Sequence, residues 1–221
     1  MKTIDYYFWL NSDWAYLGAD RLEALAARQQ ARIRYLPVDL PEVYARTGGV
    51  LLGQRAPERR AYRVIELARW CRKLGIHVNP TPAYLCPDAG LASHIVIAAD
   101  AAAAGGGPVQ GHPGRRVARR DISSPDTLRA ILREQGLDAG ALMAAAEQPA
   151  ARRAYRDNTD AAVAAGVRLA VVRVSRRAVL GAGPAGDAGR GGRRLALNAG
   201  GRREPGALSW LAAPLSFGPG R

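Results

Sequence analysis

Apolar and polar positions change their period several times along this chain, and each change marks an element. Residues 4–10 (IDYYFWL) are aromatic and apolar and predict a strand buried on at least one face. Residues 13–30 carry Ala15, Ala19, Leu22 and Ala26 at helical spacing, with Ser12 as a good N-cap and Asp13 in the first turn. Residues 31–40 (ARIRYLPVDL) return to alternation around Pro37, which predicts a second, edge-tolerant strand. Residues 41–56 read as a loop holding Gly48, Gly49 and Gly53. Pro57 then opens a helix with the apolar stripe Ala61, Val64, Ile65, Ala68, Cys71 and Leu74, and Gly75 ends it. Residues 79–87 (NPTPAYLCP) form a Pro-rich bend, and four further helices are predicted over 91–104, 127–135, 139–148 and 150–165.

The order is strand, helix, strand, then a run of five helices, so the chain opens as a βαβ-type unit. Two strands make a marginal sheet, so more should be supplied after residue 167. Residues 168–180 (RLAVVRVSRRAVL) offer one strand, and beyond Gly181 no apolar periodicity survives. Three segments follow: 1–40, the βαβ part; 41–167, a connecting loop and helical insertion with 105–119 anomalous; and 168–221, an Arg/Gly-rich tail.

Composition sharpens this division. Of the net charge of +13, residues 168–221 supply +8 and residues 105–119 supply +3, and the two segments hold 16 of the 25 glycines. The positive excess therefore sits in two segments and not on a face of the folded pattern, which leaves nucleic-acid binding a distant third reading. No apolar stretch reaches the roughly 18 residues of a membrane span. Met1 leads straight into a strand with no leader pattern, so a cytoplasmic protein is expected. Cys71 and Cys86 form no CxxC and no disulfide framework, and His77, His94 and His112 form no metal-ligand pattern.

The chemistry centres on FWLNSDWAYLG, residues 8–18, where Ser12 stands at the strand-to-helix junction. With the helical insertion, this resembles the DsbA-type thioredoxin-like fold, an α/β fold with an all-helical insertion. Redox members open the first helix with CxxC, whereas this chain has Ser-Asp-Trp-Ala over 12–15. A serine there is similar to the kappa-class glutathione transferases and the 2-hydroxychromene-2-carboxylate isomerases. In their Ser-Pro-aromatic-Ser-Tyr-Leu pattern, Ser12, Trp14, Tyr16 and Leu17 match, while Asp13 replaces proline and Ala15 the second serine. The resemblance continues through IRYLPVDL, the loop 47–53, ARWCRKLGI, the bend ending in Tyr84, and RDISSPDTLRAILREQGLDAGALMAAAEQP.

The resemblance implies glutathione as cofactor, a small aromatic substrate from aromatic-compound catabolism, and dimerisation as in many relatives. It implies that Ser12 holds the glutathione thiolate and that Gly49, Val50 and Tyr84 contact the substrate. In the implied cis–trans isomerisation the thiolate adds to a conjugated substrate, a bond rotates, and elimination returns glutathione. A helix N-terminus offers unpaired N–H groups, and one charge-assisted hydrogen bond there contributes about 2 kcal/mol, roughly 1.5 pKa units on the thiol. Position alone leaves Ser12 open as a plain helix cap, Tyr84 as an ordinary buried tyrosine, and Gly49 and Val50 as loop residues. Arg55, Arg59 and Arg60 are open between attracting an anion and a solvated helix start. A DsbA-type oxidoreductase and a kappa-class transferase are the nearest alternatives.

After residue 167 the family pattern calls for a Phe-Gly-Ser/Val-Pro loop, a strand pair and Gly-Gln-Asp-Arg-Leu, none of which is present. The C-terminal ββα part is thus expected to be lost or garbled, residues 168–221 to be poorly ordered, and half of the glutathione cradle to be missing. The activity of the chain as translated is left open. Both anomalous segments can be read as frame shifts. Shifting residues 167–189 by one base permits FGSPSSVFRGELFWGQDRLEML, and shifting 107–118 permits GPFKAILAAVW. The rival reading is a genuine Arg/Gly tail that binds nucleic acid.

Overall fold

The computed structural model describes residues 2–104, 120–167, 171–174 and 177–180. These lie in one unit, Met1–Pro184; a second unit, Ala185–Arg221, lies outside the described residues. The sheet is built from β1 (Lys2–Phe8), β2 (Ala31–Pro37), β3 (Val171–Val174) and β4 (Arg177–Leu180), in the order β2-β1-β3-β4. β1 pairs parallel to β2, Lys2 opposite Ala31 through Phe8 opposite Pro37, and antiparallel to β3, Ile4 opposite Val174. β3 and β4 pair antiparallel as a hairpin.

α1 (Asp13–Arg28) connects the two parallel strands, as such a pair requires. Alternation along β1 sends side chains to two cores. Ile4, Tyr6 and Phe8 are buried with Ala92, Ile95 and Val96 of α4 (Gly90–Ala104), Leu128 and Leu132 of α5 (Pro125–Glu134) and Met143 of α6 (Ala139–Glu147). Tyr7 faces the other way, onto Val43 and Tyr44 of α2 (Leu40–Thr47) and Ala162 of α7 (Pro149–Ala164). The rings of Tyr6 and Phe8 stack at 4.9 Å. Burying a side chain the size of Phe8 stabilises the fold by about 1.5–3 kcal/mol. A third cluster joins Leu17 of α1, Leu67 of α3 (Pro57–Leu74) and Val78, flanked by Trp14, Tyr16 and Trp70. This cluster fixes α3 beside the opening of α1.

Three expectations are corrected. Residues 41–56 are not all loop: α2 forms because Asp39 caps it through Glu42 N–H at 3.1 Å, with Pro41 in its first turn and Gly48 closing it at φ 72°. Only the C-terminal end of the expected α3 stripe, Cys71 and Leu74, packs inward. Val64 and Ile65 are exposed, at 37% and 50%, and Leu67, with Trp70, Cys71 and Leu74 beside it, packs inward. The single strand expected over 168–180 is a hairpin of two, so the strand pair is present. The expected disorder of 168–221 otherwise falls on residues outside those described, as does the anomalous segment 105–119.

Candidate functional site

The strand-to-helix junction is built by short-range hydrogen bonds. Ser12 N–H donates to Trp9 O at 3.0 Å, closing a turn after β1. The Ser12 hydroxyl oxygen then accepts from Ala15 N–H at 3.2 Å, and Ser12 O accepts from Tyr16 N–H at 3.1 Å. Ser12 is thus the N-cap in extended conformation, φ −88° and ψ 113°. The N–H groups of Asp13 and Trp14 have no acceptor within the helix, as for the opening turn of any helix. Accepting from Ala15 N–H leaves the Ser12 hydroxyl its own O–H as a donor.

Outward lies a cleft of about 730 Å³. Ser12, Asp13 and Trp14 form one wall, and Leu40, Tyr44 and Leu52 another. Tyr62 and Arg63 of α3 and Tyr84–Pro87 of the Pro-rich bend close it. The bend is tied to the junction by Asn11, whose side-chain amide donates to Pro87 O at 2.8 Å. Aromatic and apolar side chains interspersed with polar and charged ones make this concave surface a candidate small-molecule site.

Of the residues singled out from sequence, Ser12 and Tyr84 line the cleft, Tyr84 half-exposed at 52%. Gly49 and Val50 are not among its lining residues. Gly49 instead lies against the Tyr44 ring so closely that a Cβ would overlap it, and its N–H donates to Tyr44 O at 3.0 Å. Val50 is exposed at 46%, and its carbonyl accepts from Arg55 at 2.9 Å. Among the three arginines, Arg55 and Arg59 line the cleft and Arg60 does not.

Sequence reasoning missed Arg63. Its guanidinium pairs with the Asp13 carboxylate directly beside Ser12, and both side chains are largely buried, at 15% and 22% exposure. Only the packing of α3 on α1 places these two together. It also missed the wall from α2 and the short 3-10 turn Leu52–Gln54. A signal was available there: Asp39 followed by Glu42 is a capping pair, with Pro41 between them and Gly48 after.

Cys86 also lines the cleft, with a backbone φ of 54°. Burial pushes its thiol pKa up, the Asp13 charge adds to that, and Arg63 offsets part of it. Burial likewise pushes the Cys71 thiol up. Neither cysteine is therefore set up as a reactive thiolate. No group of three His, Cys, Asp or Glu among the described residues could hold a metal ion. No described helix is long and apolar enough to cross a membrane.

The sequence matches the DsbA-like thioredoxin domain family over residues 3–168. It is 30% identical over 159 residues to a 2-hydroxychromene-2-carboxylate isomerase of Sphingobium xenophagum, spanning 70% of this chain and 79% of that protein. Among solved structures it resembles a 2-hydroxychromene-2-carboxylate isomerase at TM-score 0.63 and 22% identity, covering 81% of this chain and 88% of that one. It also resembles the cytosolic disulfide reductase DsbM of Pseudomonas aeruginosa, solved with glutathione, at TM-score 0.53 and 18% identity, covering 80% and 88%. The sheet with its helical insertion, the serine-capped first helix and these matches lead to one statement: the chain belongs to the DsbA-like thioredoxin domain family.

Proposed function

We propose that the protein is a glutathione-dependent cis–trans isomerase of a small aromatic-derived carboxylate, a reaction of aromatic-compound breakdown. The observation that carries this is the Ser12 hydroxyl at the mouth of α1, which accepts from Ala15 N–H and lines the cleft. Such a donor beside unpaired helix N–H groups suits a sulfur anion. Glutathione, when bound, would supply a thiolate able to add reversibly to a conjugated substrate. Ser12 would keep that sulfur ionised and in place, and is not itself the nucleophile. Tyr62 and Tyr84 offer faces for an aromatic ring, and Arg55 and Arg59 bring positive charge to a carboxylate. The cleft walls limit water around the reacting atoms. The family's partner for the γ-glutamyl end is expected beyond residue 167, outside this part of the cradle.

The isomerase relative and the glutathione-bound structural relative both support this reading. It fits a cytoplasmic setting, where glutathione is reduced and free thiols persist. Disulfide exchange has less support, because residues 12–15 offer no thiol. A kappa-class transferase would use the same thiolate machinery with a different substrate.

Thermal denaturation under a glutathione titration tests the cofactor. The melting temperature is expected to rise with ligand concentration, as binding to the folded state alone requires. Ser12→Ala should weaken that rise and, by losing the cap, destabilise the protein by about 1 kcal/mol. No rise at glutathione well above millimolar overturns the assignment.

A further inference from the structure

The residue that follows Ser12 creates an electrostatic conflict. Asp13 opens α1, where a carboxylate favours the helix through its N-terminal partial charge. Asp13 and Ser12 are consecutive and line the same cleft, and like charges sharing a site disfavour each other's ionised form, so the carboxylate works against a sulfur anion held at Ser12. Arg63 resolves this. It projects from α3 onto Asp13, and the pair is largely shielded from solvent. A charge pair in a shielded wall of a cleft is screened less than one at an exposed surface, so its presence is felt by a neighbouring anion.

We propose that Arg63 is a positioning residue for the thiolate, neutralising Asp13 so that the junction at Ser12 presents a net positive field. This rests on the glutathione reading given above. Among the described residues, the charged groups facing the cleft are Asp13 and Glu66 against Arg55, Arg59, Arg63 and Arg120. Arg120 is occupied by Glu134 through two bonds of 2.8 and 3.1 Å, and Arg55 bonds the Val50 carbonyl. Arg63 is the one whose ion pair lies on the Ser12 turn itself. The neutral titratable groups that line the cleft are Cys86 and the tyrosines.

The test follows the pKa of the bound glutathione thiol, read from thiolate ultraviolet absorbance against pH at saturating ligand. Arg63→Gln is expected to raise it by about one unit, the scale of one nearby uncompensated charge. Arg63→Lys should restore most of the shift. The double variant Asp13→Asn/Arg63→Gln should return the pKa to within a few tenths of the parent value, because the charge needing compensation is gone. Arg63→Gln that binds glutathione with an unmoved thiol pKa overturns the proposal, whatever its melting temperature. So does a double variant that remains as shifted as the single one. Absence of any glutathione binding by the unaltered chain overturns this inference and the cofactor reading together, which separates the two kinds of failure.

Discussion

Gly49 separates two roles that a loop glycine can play. Its contact with Tyr44 is a packing contact, and Tyr44 in turn lines the cleft. A methyl group at this position must displace the ring, and overpacking of this kind costs about 1–3 kcal/mol. Gly49→Ala is therefore expected to lower the urea midpoint. An unchanged urea midpoint would show that the loop gives way freely. Val50, exposed beside it, tolerates polar substitution within about 0.5 kcal/mol. Ser12 was legible in the sequence because capping is a local property: the residue, its neighbour Asp13 and the helix they start are contiguous. Arg63 was not legible, because the residue that gives it meaning lies 50 positions earlier and is brought to it by tertiary packing alone.

Among the elements, the pairing of α4 with α7 carries a pH signature. His94 of α4 packs edge-on against the Tyr155 ring of α7, centroids 5.4 Å apart. Burial lowers the His94 pKa below its ordinary 6.5, and the nearby Arg152 charge adds to that. The unfolded chain then takes up this proton at higher pH than the folded one. Stability from His94 is complete above the ordinary value and declines as pH falls from about 6.5 through the lowered folded value. Urea titrations at roughly pH 7.5 and roughly pH 5.5 should show a fall that His94→Gln makes smaller; an equal fall in the variant would remove His94 as the cause. Element starts and stops were largely readable, because caps and prolines are local signals: Ser124 and Asp138 cap α5 and α6. The burial face of α3 was not. That helix carries two apolar rows, and which one is covered depends on Leu17 and Val78, residues outside its own sequence.

For the whole molecule, the concentration of charge is the informative feature. Eight of the thirteen net positive charges lie in 168–221. A frame shift accounts for such a change in composition without any selection on charge. Sequencing the gene is expected to show that a one-base shift through codons 167–189 yields Phe-Gly-Ser-Pro followed by Gly-Gln-Asp-Arg-Leu. A shifted reading without the first motif ends that account and returns weight to a genuine basic tail, whose nucleic-acid affinity would fall steeply with salt. The hairpin β3–β4 sits inside codons 167–189, and the shifted reading would lay its own strand-like runs, SSVF and ELFW, over the same eight positions. Main-chain amides recognise one another without regard to what they carry, so an edge can be extended by almost any text rich in branched or aromatic letters. A binding cradle has no such indifference. A sheet of this kind thus tolerates changes of wording along its edge that a binding cradle would not.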